Sequence, residues 1–198
     1  MSILSQKPEN NRSASDKALF AALGSDIEDR PAGTVKVTGT LPQGLNGVLY
    51  RNGPGLFRRR GMSKRNVLDG DGVIQRLEFT DGRAGYARRF VRTPKLAAEA
   101  AANRFLYPTW TTTAPEPLAD VGRHVQSQAG ITVYDIHGTL LALDEVAPGF
   151  QIDPSTLETL RPASMGLPED DRAMKAHARY LADSGDWLSL QRVLGHKA

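Results

Sequence analysis

No cysteine occurs anywhere in the 198 residues. Disulfides, thiolate metal sites and cysteine nucleophiles are therefore excluded. Histidine is scarce as well: His124, His137, His177 and His196 are the four in the chain. None sits in a His-x-Asp or His-x-Glu pair, so a two-histidine, one-carboxylate iron site has no local support. No His-Glu-x-x-His pattern occurs either. Taken singly, each histidine reads as structural. The first apolar run, Ala18 to Leu23, is too short for a signal-peptide core or a membrane span. The expectation is a soluble cytoplasmic protein, with peripheral membrane contact left open.

Glycine (19) and proline (12) together exceed their usual share of about 12%. That excess predicts many turns and short strands. Net charge is +3, but it is unevenly placed. Arg51, Arg58, Arg59, Arg60, Lys64 and Arg65 fall within fifteen residues that hold no acid. Such a patch can attract nucleic acid or an anionic membrane. No helical stripe of bases and no interleaved aromatics accompany it, so no nucleic-acid partner is expected. A solvated loop is the simpler reading.

Along the chain, residues 1–16 read as a disordered lead. Asp16 would cap a short helix over Lys17–Leu23, stopped by Gly24. From about residue 35 the pattern turns to β. Gly72–Phe79 and Ala84–Arg92 read as strands joined by the turn Thr80-Asp81-Gly82-Arg83. Ile131–Asp135 and Thr139–Leu143 form a second hairpin around His137-Gly138. Gln151–Asp153 is a short strand, and Trp187–Val193 a late one. Helix is expected only over the alanine-rich Lys95–Arg104. Residues 108–123 and 161–170 read as proline-bearing loops. Repeated short strands fit a sandwich, a barrel or propeller blades, and periodicity does not choose among them.

Two motifs fail as binding loops. Asp69-Gly70-Asp71-Gly72 opens like a calcium loop, but Ile74 and Thr80 stand where glycine and glutamate are required. It reads as a tight turn leading into a strand. Asn52-Gly53-Pro54-Gly55 lacks the Lys and Ser/Thr of a phosphate loop and also reads as a turn.

The order of several segments carries more than any one of them. Gly39-Thr40-Leu41-Pro42-Gln43-Gly44 through Tyr50-Arg51-Asn52-Gly53-Pro54 comes first, then Leu68-Asp69-Gly70-Asp71-Gly72, then Arg89-Phe90-Val91-Arg92-Thr93. Ala142-Leu143-Asp144-Glu145, Asp153-Pro154-Ser155-Thr156-Leu157-Glu158-Thr159-Leu160 and Ala176-His177 follow. In this order they resemble the N-terminal portion of the carotenoid oxygenase family, also called carotenoid cleavage dioxygenases. The resemblance covers roughly residues 35–190.

It implies an all-β fold: the N-terminal blades of a seven-bladed β-propeller, with a short helical insertion. Residues 1–34 would be a lead with a short helix, and 35–198 the partial propeller domain. In that family four histidines from different blades hold one Fe(II). The first sits in an Ala-His-Pro motif, which Ala176-His177 matches. A glutamate in the preceding block hydrogen-bonds a ligand histidine, and Glu145 matches it. The residue types suit the chemistry: imidazole nitrogen suits Fe(II), and an outer carboxylate fixes the ring tautomer. Following an apolar strand, Glu145 would start close to a packed interior; the other reading is an exposed turn residue before Pro148.

The implied activity is Fe(II)-dependent cleavage by O2 of a conjugated carbon–carbon double bond in a carotenoid, apocarotenoid or stilbene-like substrate. A non-catalytic β scaffold that binds a partner or a membrane surface is the alternative. Departures from the family pattern are Ala178 for proline, Leu68 for phenylalanine, and Gly130-Ile131-Thr132 for Asn-Thr-Asn. Family members are more than twice as long, and three of their ligand histidines lie beyond the matched blocks. His196 lies in no ligand-like motif.

Overall fold

The computed structural model describes residues 27–112, 126–145, 147–163 and 172–193. The helix expected over Lys17–Leu23 lies outside them, as do His124 and His196. Strands dominate. β1 (Arg30–Thr34), β2 (Gly47–Pro54), β5 (Gly72–Thr80) and β6 (Arg83–Phe90) form an antiparallel sheet in the order β1-β6-β5-β2. The short pair β3 (Arg58–Arg59) and β4 (Met62–Ser63) interrupts the path between β2 and β5. β7 (Thr132–Ile136), β8 (Thr139–Leu143), β9 (Gly149–Ile152) and β10 (Thr159–Ala163) form a second antiparallel sheet with strands in sequence order. The last four strands are β11 (Arg172–Met174), β12 (Arg179–Leu181), β13 (Asp186–Leu188) and β14 (Gln191–Val193).

Turn chemistry sets the hairpins. Asp81 and Gly82 take φ +48° and +73°, the type I′ form whose twist matches the flanking strands. His137 and Gly138 do the same at +51° and +78°. α1 (Pro94–Ala102) is the expected helix, one residue earlier at its start. Thr93 caps it by accepting the Leu96 N–H, Pro94 occupies its first turn, and Asn103 ends it in the left-handed region.

Three sequence expectations are corrected. Asn52-Gly53-Pro54 is not a turn but the end of β2, paired with Gly72–Ile74. The loop expected from 161 begins instead as strand: Arg161, Pro162 and Ala163 pair with β9. Both prolines lie on edge strands, where a missing N–H costs no ladder bond on the open side. Trp187–Val193 is not one strand. It breaks at Ser189-Leu190 into β13 and β14, which pair with different partners.

Sheet two is covered on both faces. Leu140 and Ala142 of β8 pack with Phe150 and Ile152 against Ile74 and Ala87 of the first sheet. Leu141 and Leu143 pack the other way, against Ala176 and the half-buried Trp187 of the third unit. This explains why Leu140-Leu141-Ala142-Leu143 shows no alternation: all four are at most 1% exposed. Residues 126–130 cross beside the start of β5. A Cβ on Gly72 would sit 2.2 Å from the Ala129 carbonyl oxygen, so only glycine allows the approach.

Candidate functional site

β11 to β14 form one long hairpin with a gap in it. Arg172–Met174 pairs with Gln191–Val193, and Arg179–Leu181 with Asp186–Leu188. Between them Lys175–Ala178 leaves the ladder, keeping one bond from the Lys175 N–H to the Leu190 carbonyl at 2.9 Å. The freed groups turn to sheet two. The Ala176 N–H donates to Glu145 Oε1 at 3.1 Å. Thr132 Oγ1 donates to the Ala176 carbonyl at 2.5 Å, and the Tyr134 hydroxyl to the Ala178 carbonyl at 3.3 Å. Ala176 is fully buried between them.

Glu145 lies two residues beyond the end of β8, half-buried and directly under this gap. Its Oε2 is 3.0 Å from Lys175 Nζ, and its Oε1 is 3.7 Å from His177 Nε2. The histidine ring is largely exposed at 75%. At 3.7 Å the ring is short of a hydrogen bond. The two residues singled out from sequence, Glu145 and His177, are therefore brought together across 32 positions of chain. His137 stands apart in an exposed turn.

Sequence reasoning missed Lys175, Thr132 and Asp144. Lys175 had a signal: residues two apart on an extended segment share a face, so Lys175 and His177 point the same way. Asp144 is buried and accepts three backbone N–H groups, from Gln128, Ala129 and Glu145.

A second polar cluster lies at the end of sheet one. Asp71 bridges Lys64 at 3.2 Å and Lys95 at 2.8 Å, and Lys95 also meets Glu99 at 2.9 Å. All four are at most 1% exposed. Glu99 Oε1 accepts the Leu106 and Tyr107 N–H groups. Asp69 accepts from Thr111 and Thr112. The Asp-Gly-Asp-Gly turn thus anchors α1 and residues 105–112. Within the basic run, Lys64 is not solvated but buried over the Phe105 ring, 4.7 Å from its centroid. Burial pushes its ammonium down to about 8, against the pull of Asp71. Lys95 goes the other way. Burial also opposes its charge, but two carboxylates outweigh it and hold the ammonium above its usual value.

Among the described residues no three His, Asp or Glu side chains gather as a metal site. Nor, among the described residues, is any helix long and apolar enough to cross a membrane.

A family model described as retinal pigment epithelial membrane protein, RPE65, matches residues 24–197. The chain belongs to the RPE65/carotenoid oxygenase family. The apocarotenoid-15,15'-oxygenase of Synechocystis is 30% identical over 150 residues, which are 72% of this chain and 30% of that protein. Resveratrol cleavage oxygenase 1 of Aspergillus fumigatus is 34% identical over 125 residues, 63% of this chain and 24% of that one. Isoeugenol monooxygenase of Pseudomonas nitroreducens is 27% identical over 154 residues, 78% and 32%. A solved mutant of the Synechocystis apocarotenoid oxygenase superposes with a TM-score of 0.79 at 25% identity, over 91% of this chain and 40% of that one. This member of the carotenoid oxygenase family thus spans less than a third of each of these curated relatives, and its largely β fold is that of the solved oxygenase.

Proposed function

We propose that residues 35–198, with β1 added to their first sheet, form the N-terminal blades of a propeller oxygenase. It uses Fe(II) and O2 to cleave a conjugated carbon–carbon double bond. The substrate class is a carotenoid, an apocarotenoid or a stilbene-like phenolic, and each alkene carbon leaves as a carbonyl. Two four-stranded antiparallel sheets stacked through β8, with a third hairpin packed on the second, support this reading.

The observation that carries the reading is the gap at Lys175–Ala178. It takes a buried alanine and an exposed histidine out of a ladder and sets them on a carboxylate. His177 is the proposed iron ligand and Glu145 the carboxylate that orients its ring. The donor set fits. With Nε2 turned to Glu145, the other ring nitrogen is left for a metal, and a carboxylate partner raises its basicity. Glu145 holds the backbone as well, through the Ala176 N–H, so one side chain fixes the chain and faces the ring. Thr132 fixes the Ala176 carbonyl, in the next peptide unit. Bound iron would supply O2 activation; positioning belongs to these side chains. The other ligands lie outside the described residues.

The test is a chimera in which residues 24–197 replace the matched part of the Synechocystis enzyme. Incubation with apocarotenoid and stilbene substrates under O2 should give two carbonyl products and an iron-loaded protein. A folded, iron-free, inactive chimera would favour the non-catalytic scaffold.

A further inference from the structure

We propose that Asp144 is a positioning residue, tying residues 127–129 to the Glu145 peptide so that Glu145 meets Ala176 and His177. Its link to iron rests on the function proposed above; the coupling itself stands on hydrogen bonds alone.

Asp144 is 1% exposed. One carboxylate oxygen accepts the Gln128 N–H at 3.0 Å and the Ala129 N–H at 3.2 Å. The other accepts the Glu145 N–H at 2.7 Å. A buried charge of this kind is tolerated when several N–H dipoles converge on it. An apolar residue at 144 would strand the buried Gln128 N–H, leave the Ala129 N–H to Ser127 Oγ alone and free the half-buried Glu145 N–H. Ala129 takes φ +48°, a left-handed conformation that a residue with a Cβ holds only when its surroundings impose it. Asp144 is part of what imposes it, together with Ser127 Oγ, which also accepts the Ala129 N–H.

The run continues in both directions. Gln128 Nε2 donates to the Leu68 and Gly70 carbonyls at 3.0 and 2.8 Å, and the Gln128 carbonyl accepts the Gly72 N–H at 2.8 Å. Asn52 Nδ2 donates to the Ala129 carbonyl. On the far side Glu145 Oε1 accepts the Ala176 N–H. A hydrogen-bonded path therefore leads from the turn before β5, through Asp144, to the gap that presents His177. Movement of the 127–129 segment shifts the peptide from which Glu145 projects.

Hydrogen exchange at residue resolution on the full 198-residue chain tests this. In Asp144→Asn the amide keeps one acceptor oxygen and sets its NH2 against the N–H groups on the other side, and the charge is lost from both. The amides on the side that the NH2 faces, Gln128 with Ala129 or else Glu145, should exchange faster. So should that of Ala176, which Asp144 does not touch, by about tenfold or more, the cost of a lost charged hydrogen bond. Leu141 and Ile74 should not change. In a Glu145→Ala background, Asp144→Asn should add nothing at Ala176. An unchanged Ala176 amide in Asp144→Asn, or equal acceleration in both backgrounds, overturns the proposal. If Asp144→Asn does not fold, the wild type decides it: in rising denaturant the four amides should open together. Ala176 opening before the other three overturns the coupling. Iron loading of the chimera is a separate readout, so the coupling and the iron reading fail independently.

Discussion

Glu145 sends one carboxylate oxygen to the Ala176 N–H and the other to Lys175, and holds His177 within 3.7 Å. One carboxylate therefore answers to a backbone, a cation and an imidazole. Its charge matters to the last two and its shape to the first. Glu145→Gln separates these, because the amide keeps an oxygen for Ala176. In the full-length chimera this change should lower iron affinity or turnover by about 10–100-fold, with little change in expression or melting. Wild-type iron content and activity would leave Glu145 a backbone clamp only. The ion pair with Lys175 adds little to stability, since both groups are partly exposed.

The anchored turn at Asp69–Gly72 works at the scale of elements. Asp71 serves two ammonium groups, whereas Lys95 has a second carboxylate in Glu99. Lys64 is thus the less well compensated, and its pKa falls from 10.5 to about 8. Between those values the folded chain binds fewer protons at this site than the unfolded chain. The Lys64 contribution to stability therefore rises with pH across that window. Melting of the chimera at about pH 7.5 and about pH 9.5 should show wild type gaining on Lys64→Met at the higher pH. A constant difference between the two would contradict the buried-ammonium account. This cluster was not legible in sequence, because a run of bases reads as solvent-facing until tertiary contacts bury one member. The hairpins at Asp81-Gly82 and His137-Gly138 were legible, because left-handed turn positions demand those residues. The helix was legible from its alanines. Pro162 hid the strand it stands in, since nothing local marks an edge. The gap at Lys175–Ala178 was hidden too, because the partners of its freed groups, Glu145, Thr132 and Tyr134, are distant in the chain.

For the whole molecule, stacking decides the behaviour. Sheet two is sealed by a neighbour on each face, but the third hairpin exposes Tyr180, Leu188 and Leu190 at 51%, 56% and 76%. β2, at the open edge of sheet one, exposes Val48 and Leu49. Uncovered apolar faces and unpaired edges promote association. The 198-residue chain by itself should self-associate in sedimentation or light scattering. A monodisperse monomer with a sharp cooperative melt would show that these surfaces are not open ends of a larger stack. The family membership itself was legible from the order of short segments. The pairing of Glu145 with His177 was legible only through that resemblance, because no local spacing joins them.

The central claim is that His177 is an iron ligand, and metal content of the chimera with and without it tests that most directly. The intact chimera should purify with stoichiometric iron and cleave its alkene. His177→Ala should lose tight iron and cleavage together, while the iron-free proteins melt alike. Stoichiometric iron and normal turnover in His177→Ala would contradict the account.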